Sequence, residues 1–123
     1  MTTVDELHAH APRLPLYPTQ EQYDAWFSYY KDRTRDVTGD AANEFWFVDL
    51  NDAVMNFLTL RELVRRHPEF QKKAEQIVDD VVRNAMGETG GMTMGAVYIA
   101  RELGADPDEA KKIMFYDVFQ RSA

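Results

Sequence analysis

Residues 44–50 read EFWFVDL, and this stretch decides the fold class. Phe45, Trp46, Phe47 and Val48 favour a strand, because aromatic and β-branched side chains suit a pleated, half-buried surface. A strand needs a partner, and no other part of the chain offers a convincing one. In a helix each residue advances about 100°, so three consecutive aromatics spread over roughly 200° of its surface. They cannot all face one core. The residues of this stretch leave helix and strand both open; everything on either side of it reads as helix.

On the N-terminal side, residues 19–36 carry a clear helical pattern. Thr19 stands where a cap belongs, Gln22 completes a capping box, and Tyr23, Trp26, Phe27 and Tyr30 recur at i, i+3, i+4, i+7. That stripe is expected to be core, with Tyr29 off it and exposed. Gly39 offers a stop and Asp40 a new start. Before this helix, residues 1–18 read as an arm with Pro12, Pro15 and Pro18 at three-residue spacing. Proline removes an amide donor and fixes φ, so the arm is expected to run extended. A strap packed on its own domain and a proline-rich ligand for a partner are the two readings.

On the C-terminal side, Val54, Phe57, Leu58, Leu60, Leu63 and Val64 continue a helical pattern that ends at Arg65, Arg66 and His67. Pro68 breaks or restarts it, since its ring disfavours a helical residue before it. The next helix presents Phe70, Ala74, Ile77, Val78, Val81, Val82 and Ala85, and Gly87 closes it. Four of the six glycines then fall at Gly87, Gly90, Gly91 and Gly95. Two shorter helices follow, at about 93–103 and 107–120, joined through Gly104, Ala105 and Asp106. Asp106 as cap, Pro107 at the first helical position and Glu109 three after the cap form a strong start signal. The expected architecture is all-α: one compact domain of five or six helices over 19–123, with a helical hairpin at 93–120 and an extended, proline-containing arm at 1–18.

The chain has 123 residues, enough for a single core. Acidic residues outnumber Lys plus Arg by 21 to 14, for a net charge of −7, which disfavours wrapping by nucleic acid. There is no cysteine, so thiolate nucleophiles, disulfides and Cys-ligated metals are excluded. The longest apolar runs are about four residues, against roughly 20 for a membrane span. The first ten residues lack the apolar core of a signal peptide, so a cytoplasmic location and no membrane partner are expected.

Chemistry-bearing patterns are sparse. Asp36, Thr38 and Asp40 imitate the start of a calcium loop, but Ala41 and Phe47 stand where Gly and Glu are needed. Gly90 and Gly95 have the spacing of a phosphate loop, yet Ala96 and Val97 replace its Lys and Ser/Thr. Of the three histidines only His67 lies within the helical domain, and its setting suits a helix-end side chain better than a base or haem ligand. No catalytic residue, cofactor or metal site is expected, and an enzyme is the lesser reading.

Residues 96–113, AVYIARELGADPDEAKKI, resemble a helix-turn-helix: Ile99 and Ala100 on the first helix, Leu103 and Gly104 at the turn, then Pro107, Ala110 and Ile113. The resemblance implies DNA binding through residues 96–119, with Pro107–Phe119 as the recognition helix exposing Asp108, Glu109, Lys111 and Lys112. Its leading end, with Asp106, Asp108 and Glu109, is acidic where a groove-entering helix meets phosphates.

Charge and aromatics are segregated. Nine of the fifteen aromatic residues lie between Tyr17 and Phe47. Residues 36–52 hold Asp36, Asp40, Glu44, Asp49 and Asp52 with no Lys or Arg, while Arg61, Arg65 and Arg66 gather further on. The leading expectation is a small non-catalytic interaction module: an accessory subunit, adaptor or regulator. It would meet a protein partner or a second copy through Phe45, Trp46, Phe47, Asp49 and Asp52, with Arg61, Arg65 and Arg66 as the opposing basic group. The alternatives are a helix-turn-helix DNA-binding regulator and an acidic nucleic-acid mimic.

Overall fold

A computed structural model describes the backbone of residues 4–33, 40–85 and 92–120, and their side chains except at 4–5, 40–49, 84–85 and 92–93. The described residues are helical with connecting turns and hold no strand. The elements are α1 (Val4–Ala9), α2 (Gln20–Arg33), α3 (Asp40–Arg66), a 3-10 turn (Pro68–Phe70), α4 (Gln71–Ala85), α5 (Met92–Leu103) and α6 (Pro107–Lys112), which runs on as a π-helical stretch (Ile113–Phe119).

The ambiguous segment 44–50 is helical, inside a single 27-residue helix. At 1.5 Å rise per residue α3 is about 40 Å long, and it is the axis of the molecule. The helices α4 and α5 and the π-helical end pack directly against it, with α2 touching it less. Its inward face carries Ala53, Phe57, Leu60 and Val64, none more than 2% exposed. Two polar residues sit in the same face, Asn56 and Thr59. The Thr59 hydroxyl satisfies itself by donating to the Met55 carbonyl at 2.8 Å, the usual device for a hydroxyl inside a helix.

Local signals place the helix ends. The capping box of α2 forms as its sequence implies: the Gln22 amide donates to Thr19 Oγ1 at 3.1 Å, and the Thr19 amide donates to Gln22 Oε1 at 2.9 Å. Within the described residues the helix runs to Arg33, and positions 34–36 of the pattern lie outside them. Trp26 and Tyr30 are buried and packed edge to face, 5.5 Å between centroids. Tyr23 and Phe27 lie half-buried beside them. The Trp26 indole N–H has no acceptor among the described residues. At the other end, Pro68 stops α3 at Arg66 and opens the 3-10 turn. Gly104 adopts φ +84°, and the Ala105 amide reaches back to the Ala100 carbonyl at 2.8 Å. That bond closes α5 as a Schellman turn, for which glycine is the cheapest residue. Asp106 then caps α6 by accepting from the Asp108 amide at 3.1 Å.

The N-terminal arm is extended only in part. Val4–Ala9 coils into α1, and the non-helical backbone is confined to the proline-spaced stretch after it. The prolines interrupt helix only from Pro12 onward, so nothing in 4–9 opposes one. The arm is a strap on its own domain, with Leu7, Leu14 and Leu16 buried. Polar contacts pin it from beneath. Arg83 donates to the His8 carbonyl at 2.7 Å and pairs with Asp79 at 2.9 Å. Asp79 in turn accepts from the Leu14 amide at 3.1 Å. Tyr29 was expected to be exposed; it is half-buried, because its hydroxyl donates to the Leu7 carbonyl at 2.6 Å. His8 Nδ1 and the Tyr30 hydroxyl stand 2.9 Å apart.

Candidate interaction surface

The last turns of α3 build the site. Leu58, Arg61, Glu62 and Arg65 recur at i, i+3, i+4, i+7 and so form one stripe beside the buried face. The strap lays Tyr17 along this stripe, and the π-helical stretch brings Asp117 and Val118 to its other side. Together these seven residues line an open groove of about 460 Å³.

The π-helical stretch matters to that geometry. A helix wound with more residues per turn changes which side chains follow the core stripe. Ile113, Met114 and Val118 are buried. An α-helical continuation would carry Asp117 closer to the middle of that face. In the wider winding Asp117 stands at the flank and accepts from Arg66 Nη2 at 2.5 Å.

Electrostatics divide the three arginines. Glu62 accepts from Arg65 through Nε and Nη2 and from Arg66 Nε at 3.0 Å. These donors, Arg65 first, hold the Glu62 carboxyl down to about 2, well below its ordinary 4.5. Arg66 spans Glu62 and Asp117 and so ties α3 to the π-helical stretch. Arg61 has no carboxylate partner among the described residues. Its guanidinium carbon lies 5.4 Å from the ring centroids of both Tyr17 and Phe57, within reach of both π-faces.

Large apolar side chains stand in solvent around this end of the molecule. Tyr17 is 52% exposed, and the π-helical stretch carries Phe115, Tyr116 and Phe119, with Tyr116 at 64%. None of these four is among the residues that sequence reasoning singled out for interaction. Tyr17 was read as part of a strap, and the C-terminal aromatics as part of a hairpin helix. An aromatic after the last apolar position of the α-period was the signal available.

The structure thus brings together Arg61, Arg65 and Arg66 at one helix end, as their spacing implies. Asp52 lies further back on α3, half-buried, and burial pushes its carboxyl up. The side chains of Phe45, Trp46, Phe47 and Asp49 lie outside the described residues, as do most of the glycine loop and the calcium-loop imitation at 36–39.

Over 93–120 the chain forms α5, the turn at Gly104 and α6 with its π-helical continuation. The acids Asp106, Asp108 and Glu109 at the start of α6 are engaged. His67 Nε2 lies 2.7 Å from Glu109 Oε1, Asp106 caps the helix, and Lys111 lies 3.6 Å from Asp108. That leaves Lys112 as the exposed cation of α6 with no ion pair among the described residues. No group of His, Asp or Glu among the described residues could hold a metal ion. No described helix is long and apolar enough to cross a membrane. A smaller cavity of about 340 Å³ lies between His8, Ile77, Arg83 and Tyr98, and its arginine is already spent on the strap. No protein-family model, curated protein or solved structure matches the chain.

Proposed function

We propose that the protein is a small non-catalytic helical interaction module, an accessory subunit, adaptor or regulator that works by holding a protein partner. The observation that carries this reading is the set of aromatic side chains left in solvent, Tyr17, Phe115, Tyr116 and Phe119. A single exposed aromatic needs no explanation, but several on elements sharing one groove are costly to leave in water and are characteristic of contact surfaces. Tyrosine and arginine are the usual anchors of such surfaces, and here Tyr17 and Arg61 stand in contact range. The acidic aromatic face over 36–52, with Phe45, Trp46, Phe47, Asp49 and Asp52, remains a second proposed contact, and from Asp40 onward it belongs to the same helix.

A photo-crosslinking amino acid at position 116, 17 or 75 tests the reading in extract of the source cells. Glu75 is exposed on α4, away from the groove-lining residues. One discrete protein adduct from positions 116 and 17, absent from 75, is the expected result. No adduct, or the same pattern from all three positions, overturns it. A nuclease-sensitive adduct would pass the function to the DNA-binding reading.

A further inference from the structure

We infer that the groove between Tyr17, Arg61 and Val118 is a docking site for a partner segment that carries a Glu or Asp side chain beside an apolar one. This rests on the interaction-module reading and names what the groove would take.

The first argument is charge. Three arginines and two carboxylates meet here, and the carboxylates are consumed: Glu62 by Arg65 and Arg66, Asp117 by Arg66. Arg61 is left over. A guanidinium whose π-contacts are with ring faces keeps its planar edge for an acceptor, and a carboxylate fits that edge with two parallel hydrogen bonds. The flanking rings of Tyr17 and Phe57 lower the local dielectric and restrict the side chain, so less freedom is lost on binding.

The second argument is the apolar lining. Leu58 and Val118 line the groove below Arg61, and the half-exposed Tyr17 ring forms its wall. An acid alone would leave this lining wet, whereas an acid next to Phe, Leu or Trp covers both features at once. The groove volume, about 460 Å³, is in the range that such paired side chains fill.

The third argument separates a peptide from a nucleic acid. A phosphate backbone would bring several charges past Glu62 and Asp117, with one uncommitted cation to offset them. A single carboxylate matches the single arginine left without a carboxylate among the described residues.

The test uses the intact protein, labelled for amide NMR, and the probe N-acetyl-Glu-Phe-amide. Saturable shifts confined to residue 17, residues 58–65 and residues 117–118 are expected. Affinity should fall about tenfold with N-acetyl-Gln-Phe-amide and with Arg61→Gln, the loss implied by removing one charge-assisted pair. Arg61→Lys, which keeps the charge and gives up the fork, should bind with an affinity between those of the parent protein and Arg61→Gln, and serves if Arg61→Gln unfolds. The inference is overturned by shifts elsewhere, by no saturable shift, or by equal binding of the Gln probe. It is also overturned if duplex DNA moves the same amides more strongly, or if they move with protein concentration alone, which would assign the groove to a second copy. A crosslinked partner with a silent probe would remove this inference and leave the interaction module standing; failure of both would remove the two together.

Discussion

The side-chain amide of Asn56 on α3 fills the space that any side chain at position 95 on α5 would need. A Cβ on Gly95 would stand 2.5 Å from Asn56 Oδ1 and 2.8 Å from its Nδ2. Asn56 is buried, so the amide has little room to turn away. Alanine is favoured over glycine inside a helix by about 1 kcal/mol, but overpacking a buried contact costs about 1–3 kcal/mol. Gly95→Ala is therefore expected to destabilise by about 1 kcal/mol in urea denaturation. In an Asn56→Ala background the same substitution should become neutral or stabilising. Simple additivity in this double-mutant cycle would show that the close approach is not what requires glycine.

The strap depends on a carboxylate that lies 65 residues further along the chain, Asp79, which accepts the Leu14 amide. Asp79→Ala removes that bond and also strips Arg83 of its ion pair beneath the strap. A loss of about 2–3 kcal/mol is expected, because a partly buried guanidinium is left without its counter-charge. Limited trypsin digestion followed by mass spectrometry should show cleavage after the exposed Arg13 far sooner than in the parent protein. An unchanged rate at Arg13 would mean that the buried leucines hold the strap by themselves.

The depressed Glu62 carboxyl makes a directional prediction about pH. Its folded-state value, about 2, lies below the ordinary 4.5, so the folded state binds fewer protons than the unfolded one. The stabilisation is complete above about pH 4.5 and is lost as pH falls toward 2. These arginines reach into solvent, and screening keeps the effect to about 1 kcal/mol or less. Glu62→Gln should lower the urea midpoint at pH 7, and the gap from the parent protein should close by pH 2–3. A gap that persists at low pH would point to packing rather than charge.

Gly104 carries the left-handed turn at φ +84°, and a Cβ there would meet nothing within 4 Å. The cost of Gly104→Ala is then backbone strain alone, about 1–2 kcal/mol. Gly104→Asn, whose side chain tolerates this conformation, should cost less. Equal losses for the two variants would show that strain is not the cause.

Much of the secondary structure was legible because its signals act over a few residues. Thr19 with Gln22, Pro68, Gly104 and Asp106 each mark an end through a hydrogen bond or a dihedral within one turn. The stretch at 44–50 was not legible by itself, since its propensity favours strand and only the absence of a partner strand argues otherwise. The site was half legible: the spacing of Arg61, Glu62, Arg65 and Arg66 puts them at one helix end, but the second partner of Arg66, Asp117, depends on where the π-helical stretch packs. Tyr17, Phe115, Tyr116 and Phe119 were missed as surface residues for a related reason. Exposure depends on where the strap and the π-helical stretch come to rest.

What the sequence determined alone is an all-α chain with marked helix starts and stops, since caps, prolines and a left-handed glycine act within about one turn of the backbone. Only the tertiary structure decided that the arm is a strap, pinned through Asp79 and Arg83 to residues far along the chain. Only the tertiary structure left Arg61 near two rings and without a carboxylate among the described residues, while giving Arg66 two. Those outcomes rest on which surfaces meet across the fold, and a distance of a few ångströms between residues remote in sequence decides whether a charge is matched or left for a partner.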